Sequence, residues 1–136
     1  MKLEIKNKYE LLALHKIFLE AKYNGSPEDY TIQSSPLVRD IYERVFELLL
    51  EDEKANPPRT ISKNPETWND WRQLGKHSHR IEHLKARLAL IDSSTWCNMP
   101  QSNKQEYIEL LACPLLAEQE QITELISYAN ELHENH

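Results

Sequence analysis

The sequence predicts an all-α fold, with one domain over residues 1–136 built as a bundle of four long helices and one short helix. Three observations support this prediction. Apolar residues recur at the spacing of an amphipathic helix in four segments, 8–23, 36–54, 65–91 and 103–133. Residues that favour helix starts stand before the last three segments. The chain has only 2 glycines and few β-branched runs, which excludes glycine-rich phosphate loops and argues against a β fold.

The first two helices have clear boundary signals. The first is predicted to end where Asn24 and Gly25 follow it, with Gly25 in a left-handed cap. The second begins with Ser35 as its N-cap and Pro36 as its first residue, a position at which proline is favoured. Apolar residues cover more than half of the circumference of the second helix, so we expect it to be the most buried.

The third helix is predicted to be the longest. It begins with Asn64 as its N-cap and Pro65 as its first residue, and it runs to about Ile91. Gly75 lies inside this helix and weakens it by about 1 kcal/mol relative to alanine, so the helix can break there. Its core-facing positions are Leu74, Ile81, Leu84, Leu88 and Ile91.

The C-terminal part of the chain is predicted to contain a loop and two further helices. Residues 93–100 form the loop. Ser102 and Gln105 have the spacing of a capping box, which predicts that the next helix begins there. Pro114 interrupts that helix, and the last helix follows it to residue 133.

Charge and cysteine content limit the class of protein. The net charge is −6, from 22 acidic residues against 16 lysines and arginines. Such an acidic chain is not expected to coat DNA, because non-specific binding depends on neutralising phosphates. Cys97 and Cys113 lack the spacing of a redox or metal motif, which favours two reduced thiols in a cytosolic protein. The absence of a signal-peptide core and of an apolar run of about 18 residues predicts a cytoplasmic protein that does not enter a membrane.

Positive and negative charges are unevenly distributed between the third and the last helix. Six basic or imidazole side chains of the third helix fall within an arc of about 100°, roughly opposite its core-facing positions. This basic ridge consists of Arg72, Lys76, His79, Arg80, His83 and Arg87. The last helix carries an acidic stripe of Glu120, Glu124 and Glu131, in a region, 105–136, that has seven glutamates and no lysine or arginine. Both are predicted to face outward, either as binding surfaces or as ordinary solvated faces.

The run from His77 to His83 is the densest group of potential metal ligands. His79, Glu82 and His83 have the His-x-x-Glu-His order of a zinc peptidase, in which two histidines one turn apart hold the metal and the glutamate acts as base. His77 projects away from His79 on the same helix and cannot supply a third ligand. The neighbouring arginines and lysines would repel a cation, so we expect no metal and no cofactor.

The other histidines are predicted to have structural roles. His15 and His77 lie at the edge of the apolar faces of their helices, where we expect each to have a hydrogen-bond partner. His133 and His136 are predicted to lie near a frayed C-terminus, where a cation interacts favourably with the helix dipole.

Arg72 and His77 are separated by four residues, and this run resembles the motif of the HEPN ribonucleases, which are compact helical bundles of similar length. The resemblance covers six residues and the fold class. It implies that Arg72 and His77 would cut RNA at a dimer cleft without a metal ion.

Two tryptophans flank the start of the third helix. Trp68 and Trp71 lie off its core-facing line and alternate with Arg72 and Lys76. Tryptophan and arginine are favoured in interfaces, and tryptophan also stacks on bases, so these residues are candidates for a binding surface. The alternative is that both rings fold back over the core.

These features predict a non-enzymatic, cytoplasmic interaction protein of microbial or phage type. It would inhibit or regulate a macromolecular partner by occlusion, as immunity proteins and phage-encoded inhibitors do. The expected partner is a protein, and the acidic stripe would suit a basic one. Nucleic acid bound to the basic ridge is the alternative. Contact between the unlike charged surfaces of two copies would instead give rings or open chains.

Overall fold

The computed structural model describes residues 1–57 and 65–134 and confirms the all-α class. Within these ranges the helices are α1 (Lys8–Lys22), α2 (Pro36–Ala55), α3 (Trp68–Trp71), α4 (Ser78–Ala89), α5 (Ser93–Cys97), α6 (Gln101–Ala112) and α7 (Gln119–Glu134). Two 3₁₀ helices, Tyr30–Ser34 and Leu74–Lys76, connect them. None of the helices in the described ranges combines the length and apolar character needed to span a bilayer.

The bounds of α1 and the start of α2 follow the sequence prediction, whereas the predicted cap of α1 does not. The Ser35 side chain accepts a hydrogen bond from the Val38 amide, and Pro36 is the first residue of α2. The chain leaves α1 at Tyr23, whose hydroxyl donates to the Ala112 carbonyl at 2.7 Å. The prediction of a left-handed cap at Gly25 is wrong, because the helix has already ended and Gly25 does not adopt a positive φ.

The helix predicted over 65–91 is interrupted, and the break that the sequence allowed near Gly75 is present, since Gly75 lies in the 3₁₀ helix between α3 and α4. The Leu74 amide donates to the Leu116 carbonyl at 2.9 Å, and the Leu116 amide donates to the Arg72 carbonyl at 2.7 Å. These two bonds take the backbone out of helical pairing after α3. The 3₁₀ helix Leu74–Lys76 follows, and α4 begins as a separate helix at Ser78.

The start of this region also differs from the prediction. The predicted cap Asn64 lies outside the described residues. Thr67 is the N-cap of α3 and forms a capping box with Asp70, in which each side chain accepts a hydrogen bond from the backbone of the other. A capping box does occur in the chain, but it is not the one predicted.

The predicted loop over 93–100 contains the short helix α5. Asp92 is its N-cap and accepts a hydrogen bond from the Thr95 amide. The capping box predicted from Ser102 is wrong, since α6 already begins at Gln101, after Pro100, and has no side-chain cap. The interruption predicted at Pro114 is confirmed, because α6 ends at Ala112 and α7 begins at Gln119.

The core consists of two buried clusters. The larger one is formed mainly by residues of α4, α5, α6 and α7 and surrounds the fully buried Trp96. The smaller one joins α1 to α2 and includes Tyr42, Phe46 and the free thiol of Cys113. The expectation that α2 is the most buried helix is wrong, because one of its flanks is open to solvent and Leu37 on it is 74% exposed.

Candidate functional site

The six side chains of the predicted basic ridge do not form one exposed surface. Lys76 and His79 are exposed, Arg80 and His83 are half-buried, and Arg72 and Arg87 are buried. The break before α4 removes Arg72 and Lys76 from the register of the other four, which lie on α4. The basic side of α4 then packs against two tyrosines that helical spacing alone does not locate. The predicted exposure of this ridge is therefore wrong at four of its six positions, and any binding role for it stays a prediction.

Arg72 has a full set of structural contacts. Its Nη2 lies 2.8 Å from Glu43 Oε1 and 3.2 Å from the Pro114 carbonyl oxygen. Its guanidinium carbon lies 4.0 Å from the centre of the Phe46 ring. Arg72 thus ties α2 to the connection between α6 and α7.

The two tryptophans pack on α1 around His15. The His15 ring centre lies 5.0 Å from that of Trp68 and 4.7 Å from that of Trp71, both in edge-to-face geometry. His15 Nδ1 is 2.9 Å from the Tyr42 hydroxyl, and His77 Nε2 donates to the Trp71 carbonyl at 2.6 Å. The predicted partners for both histidines are confirmed. Both tryptophans remain half-buried, so their role as binding residues is still a prediction.

The last turn of α7 is ordered by a buried histidine. His133 Nε2 donates to the Leu88 carbonyl at 2.8 Å, and its Nδ1 accepts from the Ser93 hydroxyl at 2.8 Å. The prediction that His133 lies in a frayed end is wrong, because these bonds fix the end of α7 to α4 and α5. His136 lies outside the described residues.

A buried lysine lies next to the basic side of α4. The Lys22 ammonium donates to the carbonyls of Gln33 and Leu110. Burial is the main reason that the pKa of Lys22 is lowered to about 8, and the charge of Arg87 adds to the effect. Burial also lowers the pKa of His83, as do the charges of Arg87 and Arg80. These groups are close enough to destabilise one another's charged forms.

The arginines of this cluster have no acidic partner among the described residues. The Nε atoms of Arg80 and Arg87 are buried without a hydrogen-bond partner. Each guanidinium instead lies over a tyrosine ring, Arg80 over Tyr23 at 4.7 Å and Arg87 over Tyr30 at 4.5 Å. The ion pairs of the described residues include neither arginine. The described part of this acidic chain thus contains a basic cluster, Lys22, Arg80, His83 and Arg87, in which no member forms an ion pair with a described carboxylate.

A cavity of about 450 Å³ opens beside Arg87. It lies between the 3₁₀ helix Tyr30–Ser34, the end of α4 and the side chain of Tyr107 on α6. The hydroxyl-bearing residues Tyr30, Thr31, Ser34 and Tyr107 line it together with Leu90 and Ile91. The Thr31 hydroxyl donates to Asp29 Oδ1. Burial raises the pKa of the Tyr107 hydroxyl, which stays protonated and able to donate. The cavity therefore combines a cation, hydroxyl groups and apolar walls.

The acidic stripe is exposed, as its helical spacing predicts. Glu120, Glu124 and Glu131 all face solvent on α7, and so do the other four glutamates of residues 105–134. No described residue forms an ion pair with any of them. Lys104, the only lysine or arginine of α6 and α7, is buried against Trp96 and donates to Asn130. The exposed charged side chains that α6 and α7 themselves contribute are therefore all negative.

The histidine run does not form a metal site in the described part of the chain. No three histidine, cysteine, aspartate or glutamate side chains gather there in a way that could hold an ion. His79 is exposed, while the His83 ring packs against Tyr23 with 5.0 Å between ring centres.

Lys22 and Tyr30 are the residues of the basic cluster and its cavity that sequence reasoning missed most clearly. A signal for Lys22 was present, because Leu11, His15 and Lys22 share one face of α1 and a lysine there has to be buried or snorkel. Tyr30 lies in a segment without helical periodicity, so nothing in the sequence places it over Arg87.

No protein-family model, curated protein or solved structure matches this chain.

Proposed function

We propose that this chain is a cytoplasmic, non-enzymatic binding protein that inhibits or regulates a macromolecular partner with a basic surface. The observation that carries the proposal is that the exposed charged side chains of α6 and α7 are all negative. Their glutamates are exposed and unpaired within the described residues, and their only lysine, Lys104, is buried at 8% exposure.

An exposed face of one sign acts mainly on the encounter between two proteins. Its field extends about 10 Å at 0.1 M salt, and it raises the association rate with a partner of opposite charge. Six of the seven glutamates lie on α6 and α7, whose opposite sides form the core, so a rigid support presents them. This arrangement supports occlusion of a partner, as immunity proteins and phage-encoded inhibitors do it.

The contacts of Arg72 and His77 favour binding over the ribonuclease alternative. Arg72 is held by Glu43 and by the Pro114 carbonyl, and His77 uses Nε2 to bond the Trp71 carbonyl. In these positions both side chains serve the fold. The basic ridge supports a nucleic-acid partner only weakly, since Lys76 and His79 are its only exposed members.

The experiment compares two triple charge reversals of equal size. A partner is first captured from the native host on the immobilised wild-type chain and then purified. The variant Glu120→Lys/Glu124→Lys/Glu131→Lys is expected to associate with it at least tenfold more slowly at low salt, with less difference at 0.5 M salt. The control Glu20→Lys/Glu47→Lys/Glu51→Lys changes the net charge equally through exposed residues of α1 and α2. Equal rates for both variants, or a captured partner without a basic surface, would contradict the proposal.

A further inference from the structure

Arg87 is a buried cation whose charge the described part of the chain leaves unpaired. It is 6% exposed, its Nε has no hydrogen-bond partner, and its guanidinium rests on the Tyr30 ring at 4.5 Å. A buried charge without a counter-charge is costly, and a tyrosine face repays only part of that cost. A ligand anion would supply the missing partner.

The residues around Arg87 make the site more favourable for an anion. Lys22 and Arg80 belong to the same basic cluster, and neither forms an ion pair among the described residues. The cavity beside Arg87 adds the hydroxyl of Ser34, whereas the Thr31 hydroxyl already donates to Asp29. Guanidinium and hydroxyl groups are the side chains that proteins use to hold phosphate oxygens.

The rest of the cavity is suited to an organic group. Tyr107, Leu90 and Ile91 add an aromatic ring and two aliphatic side chains to the lining of the cavity. The volume of about 450 Å³ lies within the range of small-molecule sites, about 300–1,000 Å³, and exceeds what a lone inorganic anion needs. Apolar walls with a few converging polar groups are typical of such sites.

We propose that this cavity binds an organic phosphate monoester. Its phosphate would lie on Arg87, and its organic substituent would pack against Tyr30, Tyr107 and Leu90. A monoester carries a charge of about −1.5 to −2 at neutral pH, which suits a cluster with more than one unpaired cation better than a carboxylate does. The proposal does not depend on the acidic stripe, and it holds whether or not the proposed partner exists.

The first test uses four probes at constant ionic strength: phenyl phosphate, inorganic phosphate, benzoate and phenol. Phenyl phosphate is expected to raise the thermal midpoint of the wild-type chain and to shift the NMR signals of the Tyr30 and Tyr107 rings. Inorganic phosphate is expected to bind at least tenfold more weakly, and benzoate and phenol are expected to have no measurable effect. The proposal is overturned if phenyl phosphate produces no shift, if benzoate equals it, or if inorganic phosphate binds as tightly.

The second test locates the site. Arg87→Gln is expected to weaken phenyl phosphate binding by about tenfold or more, because it removes the charge-assisted contact. Lys85→Gln removes an equal charge from the same helix outside the cavity and is expected to leave binding unchanged. Equal losses of affinity in the two variants would show that phenyl phosphate is attracted by the overall charge of the helix, and this would overturn the proposed site.

A surface variant tests the same site without altering the core. Leu90 is 61% exposed and lies at the edge of the cavity, so Leu90→Glu places a negative charge there. Leu90→Glu is expected to bind phenyl phosphate at least tenfold more weakly than Leu90→Gln, which has nearly the same shape and no charge. Equal affinities for the two variants would overturn the proposal even if Arg87→Gln fails to fold.

Discussion

The guanidinium of Arg72 lies 2.8 Å from the carboxylate of Glu43 and connects two parts of the chain that are far apart in sequence. The Arg72 side chain is 8% exposed, whereas that of Glu43 is 42% exposed. The arginine also donates to the Pro114 carbonyl. Arg72, the buried member of the pair, therefore contributes more to the stability of the fold than Glu43 does.

We predict that Arg72→Gln lowers the free energy of unfolding by about 2–4 kcal/mol, because it leaves the Pro114 carbonyl and Glu43 without a donor in a partly buried site. Glu43→Gln should cost less, since Arg72 keeps the carbonyl. Arg39→Gln, which breaks an exposed pair with Asp40, should cost less than about 1 kcal/mol. Urea unfolding of the variants checks this order, and similar losses for Arg72→Gln and Arg39→Gln would refute it.

A second prediction concerns acid stability. Burial lowers the pKa of His15, and the neighbouring charge of Lys16 lowers it further, so the fold favours the neutral ring. The unfolded chain then binds the proton first as the pH falls below 6.5, and stability decreases there. His15→Gln should therefore lose less stability than the wild type between pH 7.5 and 5.

The histidine prediction is measured by urea unfolding followed through tryptophan fluorescence, because Trp68 and Trp71 contact the His15 ring. His83 also has a pKa lowered by burial, so some acid sensitivity should persist in the variant. The exposed His79 provides the control, and His79→Gln should behave like the wild type. If His15→Gln retains the full acid sensitivity, His15 is not its source.

Local signals in the sequence located most helices, but they did not locate the break between α3 and α4. Ser35 and Pro36 act within one turn of α2, so their effect can be predicted from neighbours in sequence. The break depends on two backbone bonds to Leu116, more than 40 residues away. No local propensity contains that information, and Gly75 indicated only that a break was possible.

The difference between local signals and contacts far apart in sequence also explains which residues of the candidate site could be predicted. Helical spacing correctly placed Glu120, Glu124 and Glu131 on an exposed face, because α7 packs with one side only. It placed Arg87 in solvent as well, but burial of this residue depends on Tyr30, which reaches it from a segment without periodicity. A basic residue on a helix face can be assigned to solvent only when the neighbouring elements are known.

A third prediction uses the buried lysine. Burial lowers the pKa of Lys22 to about 8 from 10.5, so its charged form is disfavoured in the fold. Between these values the unfolded chain binds more protons, and the contribution of Lys22 to stability rises with pH. The stability difference between the wild type and Lys22→Met should shift in favour of the wild type by about 3 kcal/mol at most from pH 8 to 10.5.

This comparison reduces other alkaline effects. Burial raises the pKa of Cys113 to about 11 and also raises that of Tyr23, and both changes reduce stability at high pH in either protein. Taking the difference cancels the Tyr23 contribution, but the Cys113 contribution cancels only in part, because Lys22 and Cys113 act on each other's pKa. Lys16→Met, at an exposed position of α1, is the control and should give a difference that does not change with pH. A flat profile for Lys22→Met would mean that Lys22 keeps its ordinary proton affinity.

The last prediction concerns the cause of the break at Gly75. A Cβ at Gly75 would lie 3.2 Å from Gln121 Nε2, so alanine there requires the Gln121 side chain to move. That side chain is not free, because its Oε1 accepts a hydrogen bond from the Glu118 amide at 2.8 Å, just before α7. Gly75→Ala should therefore lower the free energy of unfolding by about 0.5–1 kcal/mol while leaving the helix content unchanged, since the Leu116 bonds and not the glycine set the break.

In the Gln121→Ala background the obstacle is absent, and Gly75→Ala should raise stability by about 0.4–1 kcal/mol by restricting the unfolded chain. Gly25→Ala is the matched control, because nothing lies within 4 Å of a Cβ there and φ is not positive, so it should stabilise in either background. The four proteins of the cycle, studied by urea unfolding and circular dichroism, give the coupling between positions 75 and 121 directly. A gain in helix content in Gly75→Ala would show that the glycine itself breaks the helix, and additive effects at the two positions would show that the contact with Gln121 carries no energy.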